Sequence, residues 1–161
     1  MSRLHAYEYV NRPFASVRAA LASDAPGVFH RATTSAAKRA SGLAASLKIE
    51  IAGVEVGKEV ELRIVSVDDH AHAPADPRTP AARFVLSWKA REGASFFPTM
   101  EGELVIYPLS PTETQLDFEG TYTPPLGVVG AAADAVIGHR VARASVRRFL
   151  DDVVERLRVE V

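Results

Sequence analysis

Cysteine is absent from the 161 residues. That excludes a disulfide framework, a thiolate metal site and a cysteine nucleophile. Net charge is nearly absent as well: 19 Lys and Arg against 20 Asp and Glu leave −1 at pH 7. So balanced a chain presents no dominant phosphate-binding surface, which speaks against nucleic acid as a partner. Long apolar runs are missing. The most apolar stretch, Leu126–Ile137, is broken by Gly127, Gly130 and Asp134, and no stretch reaches the roughly 18 apolar residues of a membrane span. Met1–Val10 lacks the basic start and apolar run of a secretory leader. The expectation is a cytoplasmic protein without integral membrane association. The sequence also lacks a Gly-x-Ser-x-Gly elbow, a phosphate loop, a Gly-x-Gly-x-x-Gly turn and a His-Glu-x-x-His pair. These absences lower the expectation of an enzyme, and no residue pattern calls for a cofactor.

What is present is ordinary globular material: 47% hydrophobic and 24% charged residues in a length that fits one domain, 1–161. Arg3–Asn11 is rich in Tyr and Val and reads as a strand. Pro13 then sits where a helix can begin, and Phe14, Val17, Arg18 and Leu21 follow at helical spacing. Asp24 is placed to cap a second short helix, with Pro26 in its first turn. Ala32–Gly42 either continues that helix or forms a connection. Five segments then alternate apolar and polar residues. They are centred on Leu47–Ile51, Val60–Ile64, Phe84–Trp88, Leu104–Ile106 and Leu116–Tyr122. Period two with short connections predicts an antiparallel sheet with one dry face. Asp68–Pro80, with three prolines, three Asp and two His, reads as a solvated loop.

Pro124 and Pro125 end the last strand, and a long helix is expected over Val128–Arg158. A one-sided sheet needs a cover, and this helix is the element large enough to supply it. Small residues on its sheet side (Gly130, Ala132, Ala133, Ala144) permit either close packing or unfilled space.

The more specific pattern lies near the end. It comprises Thr114-Gln115-Leu116, Gly120-Thr121-Tyr122-Thr123-Pro124-Pro125-Leu126-Gly127, Asp134, Gly138-His139-Arg140-Val141-Ala142 and Phe149-Leu150. With the opening Val10–Leu21 and with Phe97-Pro98-Thr99-Met100, it resembles the START/Bet v 1-like (SRPBCC) superfamily, which includes bacterial polyketide cyclase/lipid-transport-like proteins. The resemblance spans nearly the whole chain. It implies an α+β helix-grip fold, with a curved antiparallel sheet wrapped on the long C-terminal helix and two short helices after the first strand. It also implies a hydrophobic cavity between sheet and C-terminal helix, so a cavity is favoured over close packing.

Three functions follow as expectations. The first is binding of a lipid, polyketide or aromatic metabolite in that cavity. The second is a cyclase, dehydratase or hydrolase using the same cavity. The third is an interaction module, with a homodimer left open. The expected ligand-binding walls are Phe84, Trp88, Phe97, Met100, Tyr122, Val129, Ala133 and Val136, with Arg140 or Tyr122 orienting a polar end. Trp88 has two readings, core packing or a cavity wall whose indole N–H serves a ligand. Arg140 lies within about 20° of Val129 on the helical wheel, so it is expected to point toward the sheet. There it meets either an internal carboxylate or an anionic ligand. Catalysis needs a titratable group inside, for which His30, Glu101 and Arg140 are the candidates. His70 and His72 sit two apart beside Asp68 and Asp69, but a loop gives them no rigid scaffold, so no metal site is expected.

Overall fold

The computed structural model describes the backbone of residues 2–46, 60–90, 99–123 and 131–160, and the side chains of 3–37, 61–89, 99–123 and 139–159. Strand β1 (Ser2–Val10) leads into helix α1 (Phe14–Ser46). Strands β2 (Val60–Ala73), β3 (Asp76–Ala90), β4 (Thr99–Ser110) and β5 (Glu113–Thr123) follow, and helix α2 (Ala131–Glu160) ends the chain. The five strands form one antiparallel sheet in the order β1-β5-β4-β3-β2. The expected strand around Leu47–Ile51 lies outside the described residues.

The start of α1 follows its residues. The Pro13 carbonyl accepts from the N–H groups of Ser16 and Val17, both at 3.1 Å, which closes the first turn. At Asp24 the backbone leaves helical geometry, with φ −151° and ψ 48°. Its Oδ1 accepts from the Gly27 N–H at 3.1 Å, so Asp24 restarts the helix as an N-cap. Pro26 is harmless there because a first-turn residue has no intrahelical N–H bond to lose. The second helix is not short: it continues through Ala32–Gly42 to Ser46.

The expected loop Asp68–Pro80 is instead the outer end of the β2–β3 hairpin, turning at Pro74 and Ala75. Most of it is exposed. The strands run past the core, so both faces meet water and apolar alternation has no physical cause there. Asp76 organises the turn: its Oδ1 accepts from the Arg78 N–H at 2.9 Å and its Oδ2 from the Thr79 hydroxyl at 2.8 Å.

Two helices, rather than α2 alone, cover the inner face. They pack on each other, α2 over β1 and α1 over β2. Val146, Leu150, Val153, Val154 and Leu157 of α2 are buried as expected from their spacing. Between them and the sheet stands a chain of rings. Trp88 meets Phe149 edge-on at 4.9 Å and Phe118 at 5.4 Å, and Phe29 meets Phe149 at 5.9 Å and Phe84 edge-on at 5.2 Å. Edge-to-face contacts of this kind each add about 0.5–1.5 kcal/mol beyond area burial. Gly102 makes the Phe118 ring possible, since a Cβ there would collide with Cζ of that ring.

Candidate functional site

An apolar pocket of about 440 Å³ lies between α1 and strands β2–β4. Leu21, Ala22, Ala25 and Pro26 form its helix wall. Ile64, Val67, Ala82, Phe84 and Ile106 form its sheet wall, with Arg18 and Asp69 completing the lining. A second, more open lobe of about 610 Å³ adjoins it, bounded by Pro26, Gly27, His30, Glu61, Leu62, Arg63 and Ile64. Pro26 and Ile64 border both lobes, so together they make one groove along α1.

Local sequence explains the space. The part of α1 that bridges the Asp24 break presents Ala22, Ala25 and Pro26, too short to reach the sheet where larger side chains would fill the gap. On the other wall, β2 slips register between Ile64 and Ser66. Ile64 pairs with Leu86, yet Val67 pairs with Phe84, so the bulge brings Val67 onto the inner face with Ile64. Strict alternation would have put Val67 outside.

The groove along α1 is a site the sequence did not point to, whereas the first turns of α2, where the cavity was expected, have side chains outside the described residues. Among the described residues no α2 side chain lines the pocket. Phe149 of α2 packs on Trp88, which packs on Phe118, and these three rings and Met100 are all buried. The Trp88 indole N–H does not serve a ligand; it donates to Thr33 Oγ1 at 2.8 Å, and both residues are only 1% exposed. Phe84 does line the pocket. Tyr122 is buried and its hydroxyl bonds His139 Nδ1 at 2.8 Å. Arg140 is exposed, so the expectation that it points toward the sheet fails; it sits on the solvent side of α2, next to buried Val141 and Ala142. Phe97 and Val129 lie outside the described residues, as do the side chains of Ala133 and Val136.

Of the candidate catalytic groups, His30 borders the outer lobe and is exposed. Glu101 lies exposed in a shallow depression bounded by Arg3, Glu103, Glu119 and Thr121, apart from the groove. His70 and His72 are exposed on β2, and no three His, Asp or Glu among the described residues gather as a metal site. The sequence reading missed Arg18, Leu21, Ala22, Ala25, Ile64, Val67 and Asp69 as pocket residues. The helical spacing of Val17, Arg18 and Leu21 carried part of that signal.

Two polar clusters stand away from the groove. Asp117 Oδ1 bonds His5 Nε2 at 2.6 Å on the outer sheet face. Burial, followed by the charge of Asp117 and a hydrogen bond to it, pushes the Tyr107 phenol up. Where α2 crosses β1, burial and then a hydrogen bond to Glu8 and its charge raise the Asp151 carboxyl above its ordinary range, against Arg147 and Arg148, which lower it. One turn on, Arg156 Nε donates to Asp152 Oδ2 at 2.8 Å.

No family model matches the sequence, and no curated protein matches it. Solved structures do. The Zhui aromatase/cyclase of Streptomyces sp. R1128 aligns over 98% of this chain and 93% of its own, with TM-score 0.50 and 14% identity. A START superfamily protein of Mycobacterium smegmatis aligns over 99% of both chains, with TM-score 0.40 and 11% identity. A conserved protein of Geobacillus kaustophilus covers 98% of this chain and 96% of its own, with TM-score 0.42 and 10% identity. At these identities the likeness concerns fold, and the architecture is the helix-grip fold: a curved antiparallel sheet grasping helices. No helix among the described residues is long and apolar enough to cross a membrane.

Proposed function

We propose that the protein binds an apolar or amphipathic small molecule in the groove between α1 and strands β2–β4. The observation that carries this reading is the pocket itself. Its body is walled by Leu21, Ala25, Ile64, Ala82, Phe84 and Ile106. A guest that hides about 300 Å² of apolar surface there gains roughly 7 kcal/mol before ordering costs. The helix-grip architecture, shared with an aromatase/cyclase, supports the same reading.

The test uses the neutral dye N-phenyl-1-naphthylamine, whose emission rises in apolar surroundings. Saturable binding with one site per chain is expected. Ala22 lines the pocket yet is exposed at its rim, so Ala22→Trp plugs the groove without disturbing the core. That variant should keep its melting temperature and lose at least about tenfold in dye affinity. Dye emission that never saturates, or that survives the plug unchanged, would reject the groove as the binding site.

A further inference from the structure

We propose that this groove selects amphipathic molecules with an anionic end, a carboxylate above all, and that Arg18 is the residue that reads it. The inference rests on the binding function proposed above and names the class of guest.

Arg18 is half-buried and lines the apolar lobe. Its Nη2 donates to the Asp69 carbonyl at 3.0 Å, which ties the guanidinium across the groove from α1 to β2. Some arginines of the molecule are already engaged by carboxylates: Arg3 meets Glu119, Arg83 meets Glu103 and Arg156 meets Asp152. Arg18 meets none among the described residues within ion-pair distance. A guanidinium carries five N–H donors in a fixed plane, so the Asp69 bond leaves a fork open for the two oxygens of a carboxylate. One bond already fixes the side chain, which reduces the entropy lost when a guest docks. An alkyl or aryl tail would then lie along Leu21, Ala25, Ile64 and Phe84. Glu61 and Arg63 stand in the outer lobe with His30, so the charge nearest the apolar lobe, besides Arg18, is Asp69. Asp69 is exposed, and its carboxylate opposes an anionic guest. The two residues must therefore act with opposite signs.

The experiment displaces N-phenyl-1-naphthylamine with decanoate, with decanol and with acetate at neutral pH. Wild type should bind decanoate about tenfold tighter than decanol, and acetate should not compete. Arg18→Gln should bring the decanoate-to-decanol affinity ratio down to about one. Arg18→Lys should retain part of the preference. Asp69→Asn should raise the decanoate-to-decanol affinity ratio about two- to threefold. If Arg18 were only a strap between α1 and β2, Arg18→Gln would lower the melting temperature and leave the decanoate-to-decanol ratio as it was. Equal binding of the two chains in wild type overturns the anionic selectivity while the binding function stands. Failure of the dye to bind at all overturns both.

Discussion

Thr33→Val tests the bond that holds α1 on the sheet. The substitution keeps side-chain volume and branching, so it opens no cavity. What it removes is the hydroxyl that accepts from the Trp88 indole N–H at 2.8 Å. Both residues are only 1% exposed, so water does not replace that acceptor in the folded state. In the unfolded chain the indole N–H is solvated. The expected loss is about 1–3 kcal/mol, the cost of a buried donor deprived of its acceptor. Trp88 is the only tryptophan, so its fluorescence reports the site directly during urea denaturation. The midpoint should fall with the slope unchanged. A double-mutant cycle with Trp88→Phe completes the case: Thr33→Val should cost at least about 1 kcal/mol less when the indole is gone. A loss under about 0.5 kcal/mol in wild type, or equal losses in both backgrounds, would refute the claim that this bond anchors α1.

Asp24→Ala should cost about 1 kcal/mol, read by thermal melting, because the Gly27 N–H loses its capping oxygen at the break in α1. Asp151 supplies a pH test. Its raised carboxyl binds a proton more tightly in the folded state than in the unfolded one. Stability therefore falls as pH rises from the ordinary carboxylate range through the raised folded value. Asp151→Asn should flatten that limb of melting temperature against pH and raise neutral-pH stability by a few tenths of a kcal/mol, a figure discounted for its solvent exposure.

Much of the fold was legible because the physics that writes it is short-ranged in sequence. Alternation in Phe84, Leu86 and Trp88, and in Leu116 and Phe118, follows directly from one dry sheet face, and all five side chains are buried. The Pro13 start and the Asp24 cap were readable for the same reason: each satisfies N–H groups within three or four residues. The distal hairpin was not legible. From Ser66 to His70 every residue of β2 is exposed, so pairing with β3 is held by backbone bonds that any side chain permits. His70, His72 and the prolines then carried the loop reading, although Pro80 pairs with His72 within the hairpin.

The groove was hidden by two events that spacing does not encode. One is the bulge after Ile64, which places Val67 opposite Phe84 and so on the inner face. Parity read from Ile64 alone assigns Val67 to water, and its exposure of 52% shows how much of it the groove still leaves open. The other is the division of the cover between two helices. The sequence reading gave the sheet to the C-terminal helix because the first helical region appeared as two short pieces. With Asp24 capping a break inside one 33-residue element, α1 becomes long enough to roof β2–β4. Aromatic placement then decides where space remains. Trp88, Phe118 and Phe149 pack together under the described part of α2, whereas α1 offers Ala22, Ala25 and Pro26 to its part of the sheet. Among the described residues, large rings on one flank and short side chains on the other leave open volume beside α1, and Arg18, one turn before Ala22 on that helix, becomes its charged rim.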